Sequence, residues 1–398
     1  MITDWCRALA VALALLVAAP VAWGAASETF SLVYLYRPDD PFYQQHRAYT
    51  GLTLRDAHRP LAGAKAAIRE SRFKGQVLGL KFELLEQALA EGASAPDALR
   101  NTLTQIGARV FIVDLPLTEV IELGKVLAGE SLILLNARHS ADTLRGDNCS
   151  PVLYHTLPSQ AMQMDALAQF LSSKNWKKIL ILEGGAPGDQ LLADSFQRSM
   201  AKFRLQKVDL RSFVLSNDPR LREKNNVTLI TSGVKYDVLF LADSVGEFGR
   251  YVPYHTQRPL LVVGSEGLQP GAWHWTWERH GAPQLNQRFD RVAKRRMTDV
   301  DYAGWAAVKV VVEALVRTES TDVATLRDFL VSGNFSLDTY KGAPGNFRAW
   351  NHQLRQPMLL HAHNAVLARA PLPGFLHQKN HLDTLGIDAP ETPCVLAR

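Results

Sequence analysis

Lys178-Ile-Leu-Ile-Leu182, then Gly184 to Gly188, then a helix from Asp189 to Phe203: this run decides the fold. A short apolar strand that passes through a glycine-rich turn into an amphipathic helix is the repeating unit of a parallel sheet covered by helices on both faces. The same rhythm stands upstream. Ser31-Leu-Val-Tyr-Leu-Tyr36 ends at the stop signal Arg37-Pro38, and a helical stretch follows from about Leu61 to Arg72, with Ala64, Ala67 and Ile68 on one side. Leu80 to Leu85 reads as the second strand, Ala95 to Ile106 as the second helix and Arg109 to Val113 as the third strand. A helix through Val120, Ile121, Leu123 and Leu127 leads to a fourth strand, Leu132-Ile-Leu-Leu135.

A break from Gly146 to Pro158 precedes the second half, which opens with a helix from about Gln160 to Leu171. Downstream of the quoted run, Val208 to Val214, Val238 to Leu241 and Pro259 to Val263 read as strands. An aromatic segment follows, Ala272-Trp-His-Trp-Thr-Trp277, and then a long helix from Tyr302 to Val316. Two similar halves with later segments left over predict an α/β protein of two Rossmann-like lobes, each with a parallel sheet, joined by multiple crossovers. A length beyond the roughly 250–300 residues at which one core stops growing agrees. The expected division gives 27–143 plus about 272–332 to the N-terminal lobe, and 144–271 plus about 333–370 to the C-terminal lobe. Residues 371–398 form a tail.

The first 26 residues read as a secretory signal peptide: Arg7, an apolar run from Ala8 to Ala22, and small residues Gly24 and Ala26 before an expected cut. The run is short of the about 20 residues a bilayer span needs. A periplasmic location is therefore expected. The net charge of +5 survives the cut, because Asp4 and Arg7 cancel. Nucleic acid would ask for a concentrated basic stripe, and Lys294-Arg295-Arg296 reads as a solvated helix face instead. Beyond Ala26 two cysteines remain, Cys149 and Cys394; in an oxidising compartment they either pair or stay free, and their spacing fits no zinc motif.

In open α/β sheets, ligands sit beyond the carboxyl ends of the strands, so two lobes make a cleft that closes by hinge motion. Gly63-Ala-Lys-Ala-Ala-Ile-Arg-Glu70 and Leu78-Gly-Leu-Lys-Phe-Glu-Leu84 resemble the first helix and second strand of type I periplasmic substrate-binding proteins, among them the branched-chain amino-acid receptors of ABC transporters. Gly304-Trp-Ala-Ala-Val308 resembles their late helix, and Phe335 to Phe347 their final crossing. Where amino-acid receptors carry small hydroxyl residues, this chain has Asn136-Ala-Arg-His-Ser140. The block from Gly271 to Pro283 is similar to the subgroup associated with pyrroloquinoline-quinone-dependent alcohol dehydrogenase systems. That resemblance implies a planar, anionic ligand, pyrroloquinoline quinone or a related component. It also implies either an ABC-transporter membrane component or a quinone-dependent dehydrogenase as partner, and no catalytic cofactor.

A planar polyanion asks for flat surfaces and for arginines. Arg37 follows the first strand and Arg138 the fourth, with Tyr36, His139 and Ser140 beside them. Trp273, Trp275 and Trp277 share one face if extended, with Arg279 next along, and they either stack on ligand or plug a hydrophobic seam. Trp305 lies on a helix stripe with Val308, Val312 and Leu315, spacing that means core unless its ring reaches the cleft. Gly184-Gly-Ala-Pro-Gly-Asp189 is either a plain turn or an anion-receiving one. His361 and His363 would share a strand face, with His352 upstream, yet no third ligand is spaced to complete a metal site. Gly-x-Ser-x-Gly is absent. The competing readings are a receptor for another solute, amino acid or aromatic acid, and a periplasmic enzyme. A ligand-sensing gene regulator would need a DNA-binding helix pair where the signal peptide stands.

Overall fold

The computed structural model describes residues 28–44, 57–214 and 218–396. The expected signal peptide lies outside the described residues. Lobe one is built on β1 (Glu28–Tyr36), β2 (Leu80–Ala88), β3 (Val110–Asp114), β4 (Ile133–Asn136) and β5 (Leu153–His155). All are parallel, in the order β2-β1-β3-β4-β5. Leu32, Leu35, Ile112 and Leu134 are fully buried, which is why these strands read as continuous apolar runs. Helices α1 (Leu61–Leu78), α2 (Ala95–Ile106) and α3 (Leu117–Val126) connect them. Ser94 starts α2 by accepting the Asp97 N–H, and left-handed Gly107 ends it.

Lobe two follows with α4 (Gln160–Ser173), β6 (Lys178–Glu183), α5 (Pro187–Lys202), β7 (Gln206–Ser212), β8 (Val238–Ala242) and β9 (Leu261–Gly264). Its strands are also parallel, in the order β7-β6-β8-β9. After β10 (Gln269–Gly271) the chain returns to lobe one as α6 (Ala282–Ala293), α7 (Asp299–Thr318) and α8 (Val323–Val331). It crosses back through a small ladder of β11 (Asn346–Phe347) and β12 (Leu354–Arg355). Strands β13 (Met358–Ala362) and β14 (Ala365–Ala370) then pair antiparallel with β10 and each other, against α4.

Helix α7 is buried along most of its length and lies directly on α1. Two glycines permit that approach. A Cβ on Gly63 would fall 1.8 Å from the Asp301 carbonyl oxygen, and one on Gly304 would fall 2.1 Å from that of Pro60. Thr298 and Asp301 cap α7 reciprocally, and Arg295 holds Asp301 at 2.6 and 2.9 Å. The basic cluster lies just past the end of α6 rather than on a helix face, with Lys294 and Arg296 exposed and Arg295 half-buried. Arg295 is spent on this cap, and the Arg296 guanidinium lies 3.4 Å over the Trp275 ring.

The structure differs from the sequence reading in further places and settles one alternative it left open. β5, inside the expected break, pairs with β4, so residues 144–155 go with lobe one rather than lobe two. β7 and β9 are displaced by up to two residues at each end. The segment 272–277 is not a strand. β10 ends at Gly271, and the Trp273 N–H turns out of the ladder to donate to Asp299 at 2.7 Å. Cys149 and Cys394, left open by their spacing, form a disulfide with a Cα–Cα distance of 5.7 Å. Among the described residues no helix is long and apolar enough to cross a membrane.

Candidate functional site

The strand orders put a topological switch between β1 and β3 in lobe one and between β6 and β8 in lobe two. Ligands of open α/β sheets bind at the carboxyl end of such a switch. In lobe one that edge is built around Asp114, the last residue of β3 and fully buried. Its carboxylate accepts from Tyr34 Oη at 2.6 Å, Tyr43 Oη at 2.5 Å, Arg59 Nη1 at 2.7 Å and Arg138 Nη1 at 3.3 Å. Arg138 also donates to Asp40 Oδ2 at 2.6 Å and lies over the rings of Phe42 and Tyr43. Burial raises the Asp40 carboxyl, but the Arg138 hydrogen bond and the Phe42 N–H outweigh it and hold the group below its ordinary value. Burial first, and Asp114 second, pushes the Tyr34 and Tyr43 phenols far up, so both remain donors. Among the described residues two guanidiniums, Arg59 and Arg138, thus face two carboxylates, Asp40 and Asp114, and these four groups balance in formal charge.

Lobe two offers a hollow of about 250 Å³ at the carboxyl ends of β6, β7 and β8. Phe213 and Phe248 stack in it at 4.1 Å with 7° between their planes, and Val214, Val245 and Ala186 complete the apolar lining. The two aspartates in its wall are already occupied. Asp189 accepts from the N–H groups of Ala186 and Ser244, and Asp243 from those of Gly246 and Gly249. The 184–189 segment is therefore a strand-to-helix turn whose own carboxylate takes the N–H groups an anion would need. What remains for a ligand in this hollow is mostly aromatic and apolar surface, with Glu247 at its wall.

The sequence-derived candidates fall into three places. Tyr36, Arg37, Arg138, His139 and Ser140 do stand at the carboxyl edge of lobe one, but the two arginines are not free clamps. Arg37 holds Glu119 at 2.7 and 3.0 Å and the carbonyls of Ala90 and Ala93, tying α3 to the loop after β2. Arg138 has a side chain only 5% exposed; its Nη1 is taken by Asp40 and Asp114, while its buried Nε has no hydrogen-bond partner. His139 Nε2 meets the Leu115 carbonyl at 2.7 Å, and burial pushes this imidazole down to about 4, so it is neutral.

Trp273 and Trp305 are core. Trp273 stacks on Tyr302 at 4.9 Å and donates to Asn286, and Trp305 donates to Glu70 at 2.9 Å. Both satisfy their only donor inside the fold, which removes them as stacking surfaces. Trp275 and Trp277 line a separate open hollow with Pro283 and Asn364, away from both switch points; Trp277 donates to the Tyr340 carbonyl. Arg279 is exposed beside them. His361 stacks on His274 at 4.3 Å and His352 on Tyr154 at 4.3 Å. Among the described residues no three His, Cys, Asp or Glu side chains are arranged to hold a metal.

Sequence reasoning missed Asp40, Arg59, Asp114, Phe213, Asp243 and Phe248. Two had a usable signal: Asp114 ends the apolar run of β3 and Asp243 directly follows that of β8, where the switch-point rule looks for polar groups.

No protein-family model matches the chain, and no curated protein sequence matches it. Solved structures do. A branched-chain amino-acid ABC transporter periplasmic ligand-binding protein from Burkholderia xenovorans LB400 is 13% identical, with a TM-score of 0.69 over 92% of this chain and 99% of that one. A solute-binding protein of an ABC transporter from Rhodopseudomonas palustris BisB5, in complex with 3,4-dihydroxybenzoic acid, is 14% identical, with a TM-score of 0.60 over 86% and 97%. The branched-chain amino-acid transporter substrate-binding protein of Streptococcus pneumoniae, in complex with isoleucine, is 14% identical, with a TM-score of 0.62 over 86% and 99%. The chain has the type I periplasmic binding-protein fold: α/β, two lobes, parallel sheets.

Proposed function

We propose that this protein is a periplasmic solute receptor that captures a small molecule carrying one aromatic or bulky apolar group, and hands it to the membrane component of an ABC transporter. The observation that carries the reading is the Phe213–Phe248 hollow at the lobe-two switch point. Its volume of about 250 Å³ lies just under the about 300–1,000 Å³ of complete ligand pockets. That suits one ring or one branched side chain on one lobe, with the second lobe closing over the rest. Its two aspartates, Asp189 and Asp243, are held by backbone N–H groups, which suits capture rather than acid–base chemistry.

The balanced charges in the lobe-one wall set the ligand's charge. A tricarboxylate such as pyrroloquinoline quinone needs unpaired arginines, and Arg37, Arg59 and Arg138 are each committed to a carboxylate. A solute with one carboxylate and a ring, or an apolar amino acid, asks for less. The ligands bound by two fold relatives, a dihydroxybenzoate and isoleucine, are of this kind.

The test is calorimetric titration of the protein lacking residues 1–26 with benzoate, 3,4-dihydroxybenzoate, isoleucine and pyrroloquinoline quinone. Saturable one-to-one binding of a benzoate or of isoleucine below about 10 μM (about −7 kcal/mol) supports the reading. Tight binding of the quinone alone replaces it with the quinone-carrier reading and its dehydrogenase partner. Silence from all four at tens of micromolar overturns the ligand class.

A further inference from the structure

The segment after β14 is attached to both lobes at once. On lobe two, the Leu372 N–H donates to Gln169 of α4 at 3.1 Å, and the Gly386 N–H donates to Asp165 of the same helix at 2.8 Å. Lys202 of α5 donates to the Gly386 carbonyl at 2.9 Å. At the third crossing, Asp383 accepts from Arg348 Nε at 3.0 Å and from Arg355 Nε at 2.7 Å, and Arg348 donates on to the Leu382 carbonyl at 3.2 Å. On lobe one, Thr392 Oγ1 donates to the Arg145 carbonyl at 3.3 Å, and Cys394 is bonded to Cys149. Cys149 stands in the loop between β4 and β5, and the next residue, Ser150, donates to the Gly124 carbonyl in α3 at 2.6 Å.

We propose that this tail is a fourth connection between the lobes, closed by the Cys149–Cys394 bond, and that it restrains how far they move relative to each other. The three crossings are continuous backbone and exist whatever the redox state. The fourth is different. Without the disulfide, the stretch from Thr392 to Leu396 is held to lobe one only by non-covalent contacts: the Thr392 hydroxyl, Pro393 against Gly146, and Val395 and Leu396 beside Pro151 and Tyr154. With it, the stretch from Gly386 to Cys394 is fixed covalently on lobe one at one end and by hydrogen bonds on lobe two at the other. A cross-link of this kind removes every arrangement in which its two ends separate. Cys394 is buried and Cys149 half-buried, so the bond is partly covered.

Hinge closure is the motion that two-lobed receptors use to capture a ligand, and a strap beside the third crossing narrows its range. This inference needs no ligand, so its failure and the failure of the solute reading are separate events.

The experiment measures interlobe distances in the ligand-free protein. Spin labels are placed through non-cysteine chemistry at exposed Lys125 on α3 and exposed Ala201 on α5, and read by double electron–electron resonance. The distribution is compared with that of the double variant Cys149→Ser, Cys394→Ser. A folded double variant whose distribution is at least about 1.5-fold broader supports the strap, since hinge motions are soft and respond to a single tie. A superimposable distribution in a variant with unchanged circular dichroism overturns it. If the double variant does not fold, the labelled wild type is treated with dithiothreitol, which closes to its cyclic disulfide as the strap opens to two thiols. Broadening that reverses on reoxidation supports the strap, and no change after complete reduction overturns it.

Discussion

Lys341 Nζ donates to Gln356 Oε1 at 2.7 Å in the fully buried interior between the lobes. The same amino group donates to the Ala272 carbonyl at 2.8 Å and lies 4.5 Å over the Tyr302 ring; Gln356 in turn donates to the Thr156 carbonyl at 2.8 Å. Burial pushes this amine well below the ordinary lysine range. Ala272 belongs to the second crossing, Lys341 and Gln356 to the third, and Thr156 to the first. One amine and one amide therefore lace all three passages between the lobes, and Gln353 repeats the pattern through the carbonyls of His155 and Leu157.

Gln356→Leu tests this lacing. The substitution keeps the volume but leaves Lys341 and the Thr156 carbonyl each short of a partner in a dry site. Leaving a buried polar group unpaired costs about 1–3 kcal/mol, and more for a charged one. We expect a loss of about 1–3 kcal/mol in urea unfolding, the scale of a buried polar group left without its partner. A change under 0.5 kcal/mol, the ordinary scatter of surface substitutions, would show that water or a shifted backbone replaces the amide.

Arg138 separates a structural arginine from a ligand clamp. Its side chain is 5% exposed and its removal strands Asp40, whereas Asp114 keeps Arg59. Breaking one side of a buried pair costs about 3–5 kcal/mol. Arg138→Met should therefore lose stability of that order, and adding Asp40→Asn should restore part of it. A carboxylate clamp would behave in the opposite way, with the melting temperature kept and the affinity lost.

The fold should weaken in mild acid. Burial pushes His139, His274 and His352 each down to about 4, with neighbouring cationic groups or His361 adding to the effect. In an unfolded chain imidazoles bind protons from about 6.5. Between these values the unfolded state carries more protons, so stability falls as pH drops from about 6.5 to about 4. Asp165, Asp299 and Glu183, raised by burial, run the other way, but with His155 and His361 also pushed down by burial the imidazoles outnumber them. Urea titrations at pH 7 and pH 5 check the sign. His352→Gln should flatten the slope by up to one proton, about 1.4 kcal/mol per pH unit.

Much of the fold was legible because parallel strands buried on both faces leave an unmistakable apolar run, as at residues 31–36 and 178–182. The site was not legible, for a reason visible in Arg138. Its partners Asp40 and Asp114 lie 98 and 24 residues away, so nothing local distinguishes a paid-off guanidinium from a free one. The tryptophan block failed differently. Alternation of Trp273, Trp275 and Trp277 reads as a strand face, yet Asp299 draws the backbone out of the ladder and each indole meets a different neighbour. β5 was hidden because three residues are too few to show a period. The Phe213–Phe248 pair joins two loops that only the sheet order brings together.

That pair gives the decisive prediction for the ligand. Val245 lines the same hollow and is 38% exposed, so a change there disturbs little of the core. Val245→Asp places a carboxylate against the aromatic surface without creating a cavity or stranding a partner. Stability should stay within about 0.5 kcal/mol, as for surface positions generally. Affinity for whichever benzoate or apolar amino acid binds should fall at least tenfold, about 1.4 kcal/mol, because the ligand must now desolvate the new charge or leave it wet beside its ring. Val245→Leu, which adds apolar surface and no charge, should keep binding within a few-fold and so separates charge from bulk. Undiminished affinity in Val245→Asp would mean that the solute sits elsewhere on the two edges, and Trp275 and Trp277 in their own hollow would be the next residues to change.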